Sequence, residues 1–164
     1  MNNMTWEIVA YDPWFDLSPN DAGCDAAHCK YDSYRRFNAL KEKNPNLKTF
    51  LSIGGWNSGS EQWSWMASDP ERRRIFIDSV MRFVSTFGFD GIDFDWEYPG
   101  DRYSIIRKVD DIYSIELLFR EGSDPEHDRE NFTKLSEELA ADLHAAGKLF
   151  TAAMSADNKR ADVR

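Results

Sequence analysis

Apolar and polar positions along this chain follow two periods in turn. Residues 4–11 read as a strand or extended segment. Residues 12–30, rich in Asp, Pro, Gly and Asn, predict a loop. Between about 31 and 43, Tyr34, Phe37 and Leu40 recur at helical spacing, and Pro45 closes that helix. A short apolar run at 48–53 predicts a strand that stops at Gly54-Gly55. Asp69 is placed as an N-cap and Pro70 as the first helical residue. From there Phe76, Val80, Phe83, Val84 and Phe87 mark one face of a helix, with Gly88 as its stop. Residues 89–95 predict the next strand. A helix follows over 126–146, striped by Phe132, Leu135, Leu139 and Leu143 and ended by Gly147. The run 149–154 predicts a last strand.

Helices and strands therefore alternate, which implies βαβ units, a parallel sheet and right-handed crossovers. The pattern fits a doubly wound sheet or part of a (β/α)8 barrel. Polar residues at strand ends favour the barrel: Ser52 and Gly54 close one strand, Asp95 and Glu97 the next, and Ser155 and Asp157 follow the third. Barrel enzymes carry their chemistry at the C-terminal ends of strands. With 164 residues, the chain holds about half of a barrel, which needs roughly 250 residues. It reads as a fragment, 1–164 being part of one catalytic domain.

Composition and charge remove several alternatives. The formal net charge of -9, without a concentrated basic patch, excludes a nucleic-acid partner. Arg72, Arg73 and Arg74, beside Glu71 and Asp78, read as a solvated helix face. No apolar stretch approaches the ~20 residues that span a bilayer. Residues 1–15 mix Glu7, Asp12 and Pro13 into the apolar positions, so no secretory signal is visible and the start reads as the interior of a longer protein. Cys24 and Cys29 permit a local disulfide or two free thiols. His28 lies between them, but the further ligands of a zinc site are not evident, so no metal is expected.

The segment with the clearest chemistry is Phe89-Asp90-Gly91-Ile92-Asp93-Phe94-Asp95-Trp96-Glu97-Tyr98-Pro99. Asp93, Asp95 and Glu97 fall on every second residue, hence on one face of a strand. Neighbours two apart are about 7 Å distant along the backbone. Carboxyls crowded in this way push their pKa values apart and can leave one protonated near neutral pH, as a general acid requires. Asp90 reads as structural, tying the strand start, and Trp96, on the opposite face from Asp95, reads as core.

Two motifs then identify a resemblance. Leu51-Ser52-Ile53-Gly54-Gly55-Trp56, followed about 40 residues later by the acidic segment, closely resembles chitinases of glycoside hydrolase family 18. All four acidic positions of the family's D-x-x-D-x-D-x-E signature are met by Asp90, Asp93, Asp95 and Glu97. The likeness extends through 38–60, 70–87 and 123–151. It implies a (β/α)8 TIM barrel in which 48–53, 89–95 and 149–154 are strands three to five. Residues 4–11 would then lie near the second strand, and strands six to eight, with their substrate contacts, would be absent.

The resemblance also implies the chemistry. Chitin or chitooligosaccharides, β-1,4-linked N-acetylglucosamine, would be hydrolysed with substrate assistance and retention of configuration. Glu97 would be the proton donor, Asp95 the partner of the substrate acetamido group, and Asp93 the support that holds Asp95 and shares its proton. Trp56, Tyr98 and Gly55 would line the sugar cleft, although Trp56 could instead pack in the core. No cofactor is implied, and the protein would be an extracellular monomer. A chitin-binding, inactive chitinase-like lectin is the alternative, but such relatives lose the acid that Glu97 supplies here. An endo-N-acetylglucosaminidase shares the acidic signature, whereas Gly54-Gly55-Trp56 and Trp96-Glu97-Tyr98-Pro99 favour chitinase.

One departure stands out. Relatives of this kind pass from a Tyr98–Arg102-like segment almost directly to one like 122–125, yet here 103–121 intervenes. It includes Ile112, Tyr113, Ile115, Leu117, Leu118 and Phe119, unusually apolar for a loop beside a cleft. Two readings stay open: a retained intron translated in frame, or a real loop with a short amphipathic helix along the cleft wall. Transcripts that always include these codons exclude the first.

Overall fold

The computed structural model describes residues 1–2, 4–17, 32–100, 104–105, 118–119, 124 and 126–156. Cys24, Cys29, Asp157 and most of 103–121 lie outside the described residues. Strands β1 (Phe50–Gly54), β2 (Gly91–Asp95) and β5 (Leu149–Ala152) form a parallel sheet in the order β1-β2-β5. Within 103–121, β3 (Ser104–Ile105) and β4 (Leu118–Phe119) pair antiparallel. The helices are α1 (Pro13–Leu17), α2 (Ser33–Asn38), α3 (Glu61–Ala67), α4 (Pro70–Phe87) and α5 (Asp128–Ala145). None among the described residues is long and apolar enough to cross a membrane.

The two predicted long helices form where their signals place them. Asp69 accepts from the backbone N–H groups of Glu71 (2.9 Å) and Arg72 (3.0 Å), Pro70 opens α4, and Gly88 closes it in the left-handed region (φ 77°). Phe76, Ile77, Val80 and Val84 are the buried stripe of α4, while Phe83 and Phe87 pack at its margin, partly exposed. Phe132, Leu135, Leu139 and Leu143 are the buried stripe of α5. Both stripes lie against one face of the sheet, where Leu51, Ile53, Ile92, Phe94 and Trp96 are buried. Alternation sends the other residues of β1 and β2 (Ser52, Gly54, Asp93, Asp95) to the opposite face. The core thus occupies one side of the sheet and leaves the other side polar.

Several expectations are corrected. Residues 6–10 form no ladder among the described residues. They dock on α4 instead: the Ile8 N–H donates to Ser79 Oγ (3.0 Å), Glu7 pairs with Arg82, and the Arg72 guanidinium lies over the Trp6 ring. Within the expected loop, Asp12 and Pro13 start α1, with the Phe15 N–H donating to Asp12 (3.0 Å). The helix expected over 31–43 is α2 continued by a 3-10 turn, and Phe37 and Leu40 remain exposed. Residues Glu61–Ala67, to which the apolar pattern assigns no element, form α3, burying Trp63, Met66 and Ala67.

The arginine run is not simply a solvated face. Arg73 is 6% exposed and grips Glu138 of α5 through Nε and Nη2, while its Nη1 donates to the Ala67 carbonyl. Arg74 bridges Asp78 and Asp142. The run ties α4 to α3 and α5, because buried guanidinium requires carboxylate and carbonyl partners.

Asp90 anchors the start of β2, as expected. It accepts from the Thr49 N–H (2.8 Å) and pairs with Lys41 (2.6 Å) and Lys48 (3.6 Å). Burial pushes its pKa up, but the Lys41 hydrogen bond, the Thr49 N–H and both lysine charges outweigh it, lowering the pKa from 3.8 to about 2. The folded value lies below the unfolded one, so this stabilisation is complete above pH 3.8 and is lost as pH falls towards 2. Urea melts across that window are expected to be flatter for Asp90→Asn than for the natural chain. Equal slopes would reject Asp90 as a source of acid sensitivity.

Candidate active site

The site is built on the polar face at the C-terminal end of β2. Gly54 pairs in register with Asp95, Ser52 with Asp93, and Asp93 with Thr151. Ser52 Oγ reaches two residues beyond its register partner and donates to Asp95 Oδ2 (2.9 Å). Thr151 Oγ1 donates to Asp93 Oδ1 (2.6 Å). Each aspartate is therefore oriented by a hydroxyl from a neighbouring strand. Burial, together with the charges of Asp93 and Glu97, raises the Asp95 pKa against the opposing Ser52 hydrogen bond. Asp95 thus holds a proton to higher pH than an ordinary aspartate.

Close approach of β1 to β2 is a glycine requirement. The Gly55 N–H donates to the Asp95 carbonyl (2.8 Å), and a Cβ at Gly54 (φ 117°) would stand 2.4 Å from that oxygen. Gly55 is also in positive φ (91°), but a Cβ there would have open space around it. The chain then turns through Trp56–Ser58, which leaves Trp56 40% exposed and outside the buried core. Ser58 Oγ returns to the Gly54 carbonyl (2.8 Å).

Beyond β2, Trp96 is 1% exposed, while Glu97 and Tyr98 are half-buried. The Glu97–Tyr98 peptide bond is cis. Asp93 and Asp95 share one face of β2 as the alternation predicts, Glu97 follows past the strand end close enough for its charge to act on Asp95, and Gly55 and Trp56 lie at the same end of the adjoining strand. The hydroxyls of Ser52 and Thr151 are the site features that the sequence does not disclose. Ser52 could have been found from its alternation with Gly54, and Thr151 from being the one polar residue of β5. Oriented carboxyls with one elevated pKa, at a strand exit next to an exposed indole, can transfer protons to and from a ligand stacked on that ring.

The family profile for glycosyl hydrolases, family 18, matches residues 1–163. The chain is 36% identical over 136 residues to chitotriosidase-1 of Mus musculus, covering 79% of this chain and 25% of that protein. It is 33% identical over 155 residues to probable chitinase 2 of Drosophila melanogaster, covering 94% of this chain and 26% of that protein. The chain thus spans about a quarter of the length of these relatives. Among solved structures, the Ostrinia furnacalis group IV chitinase in complex with allosamidin is 39% identical with a TM-score of 0.63, over 78% of this chain and 29% of that one. This likeness implies a TIM-barrel-type fold, of which the parallel sheet and its helices are a part.

Proposed function

The chain belongs to glycosyl hydrolase family 18, and on that basis we propose that it carries the acid-bearing part of a chitinase barrel, its parallel strands being the third to fifth. The pair Asp93 and Asp95 on one strand face, with Glu97 two residues past the strand's C-terminal exit, is the observation that carries this reading. Chitin or chitooligosaccharides are the substrate class, and the parent protein acts outside the cell, where such a polymer lies.

The geometry supports a substrate-assisted route. The acetamido oxygen of the sugar attacks its own anomeric carbon as the glycosidic C–O bond breaks. Glu97 gives its proton to the leaving oxygen, and a cyclic oxazolinium ion forms. Asp95, aimed by Ser52, orients the acetamido N–H and offsets the positive charge. Asp93, held by Thr151, stands beside Asp95, whose pKa is raised chiefly by burial and further by its acidic neighbours. Water then opens the oxazolinium while Glu97 takes its proton, and the configuration is retained. Trp56 offers an exposed indole face, Gly55 leaves open space beside it, and Tyr98 next to Glu97 would be a second aromatic contact for the sugar. The presence of Glu97 favours hydrolysis over the binding role of an inactive lectin.

The test is stereochemical. The barrel containing this chain is expected to release β-anomeric product from a chitooligosaccharide, read by proton NMR before mutarotation. Initial α-product would overturn the retaining route. The 164-residue chain alone is expected to show little or no turnover, and robust hydrolysis by it would overturn the partial-barrel reading.

A further inference from the structure

Asp128 opens α5, and its side chain reaches back to residues that precede that helix. It is completely buried, which for a carboxylate demands hydrogen-bond partners. One oxygen accepts from Ser64 Oγ (2.5 Å), and the other from the backbone N–H groups of Asp124 (2.9 Å) and Gly100 (3.3 Å). Gly100 lies three residues beyond Glu97. On the other side of Glu97, the buried Trp96 indole donates to Ser60 Oγ (3.2 Å). Ser60 and Ser64 are one helical turn apart at the start of α3 and are themselves buried. The same turn therefore holds the strand-exit segment before Glu97 through Trp96, and after it through Asp128.

We infer that Asp128 and Ser64 are positioning residues for Glu97, fixing the half-buried acid against the glycosidic oxygen. This rests on the reading of Glu97 as the proton donor. The argument is geometric. Residues 96–100 follow the end of β2, so no sheet ladder holds them, and the two buried ties to α3 supply the constraint that the strand no longer gives. A displacement of about 1 Å in a reacting group can cost on the order of a hundredfold in rate.

The experiment compares two chitobiosides in the chitinase that contains this chain. One carries a sugar as its leaving group, which needs a proton. The other carries 2,4-dinitrophenolate, which departs without one. Asp128→Ala is expected to lower kcat about a hundredfold on the first, and much less on the second, with KM nearly unchanged. Ser64→Ala is expected to show the same bias at about tenfold. Asp128→Asn keeps an oxygen for the two amides and can donate to the Ser64 hydroxyl, so it is expected to recover most of the rate. Equal losses on both substrates, or none, would overturn the inference. Should Asp128→Ala not fold, Ser64→Ala and Asp128→Asn decide it by the same criteria. Glu97→Gln run in parallel separates the two levels. No leaving-group bias in Glu97→Gln rejects Glu97 as the acid, whereas bias there with none in Ser64→Ala or Asp128→Ala rejects only the positioning role.

Discussion

Glu97→Gln, made in the full-length protein that contains this chain, is expected to lower kcat on chitooligosaccharides by about a hundred- to ten-thousandfold if the proposed function holds. The amide is isosteric, so the half-buried site keeps its packing. Gln has no proton to give at the pH of the assay, and no way to accept one from water. Both halves of the proposed cycle therefore suffer. In the proposed cycle the Trp56 and Tyr98 faces and the Asp95 carboxyl would carry substrate binding, so KM is expected to change little, the pattern of an interaction made in the transition state. Steady-state kinetics on the natural enzyme and the variant check this. Equal kcat values would remove Glu97 from the mechanism.

Gly54→Ala is expected to destabilise the same protein by about 3–5 kcal/mol, or to prevent its accumulation in soluble form. The added Cβ would stand 2.4 Å from the Asp95 carbonyl oxygen and 2.9 Å from its carbon, and neither can move without parting β1 from β2. The left-handed φ of 117° adds backbone strain. Parting the strands breaks the Gly55 N–H bond to Asp95 and draws Ser52 away from the carboxylate that it orients. Gly55→Ala is the comparison. It carries the positive-φ penalty, about 1–3 kcal/mol, but meets no neighbouring atom within 4 Å. Urea unfolding distinguishes the two, and equal destabilisation would show that strain, not close strand approach, governs Gly54.

Much of this could be read along the chain. Asp69-Pro70 and Gly88 delimit α4 because capping is local: the bonds join residues two and three apart. The same Asp-Pro start at 12–13 begins α1, but without an apolar stripe behind it the segment reads as loop. Residues 6–10 mimic a strand in composition, yet their partners are Ser79 and Arg82, more than seventy residues away. Arg73 reads as solvated because its carboxylate partner, Glu138, lies on a different helix. In the last two cases the misleading feature depends on a contact that no local pattern encodes.

The site divides in the same way. Alternation alone puts Asp93 and Asp95 on one face, since a strand's period of two follows from its backbone geometry, and Trp96 and Glu97 follow past the strand end. The acidic row, its family and the two long helices are thus properties of the sequence by itself. Which hydroxyl orients each aspartate, and how α3 holds the segment around Glu97, were decided by tertiary structure. Ser52, Thr151, Ser64 and Asp128 come from four different elements. Their hydrogen bonds exist only once strand register and helix packing have brought those elements within about 3 Å of their partners.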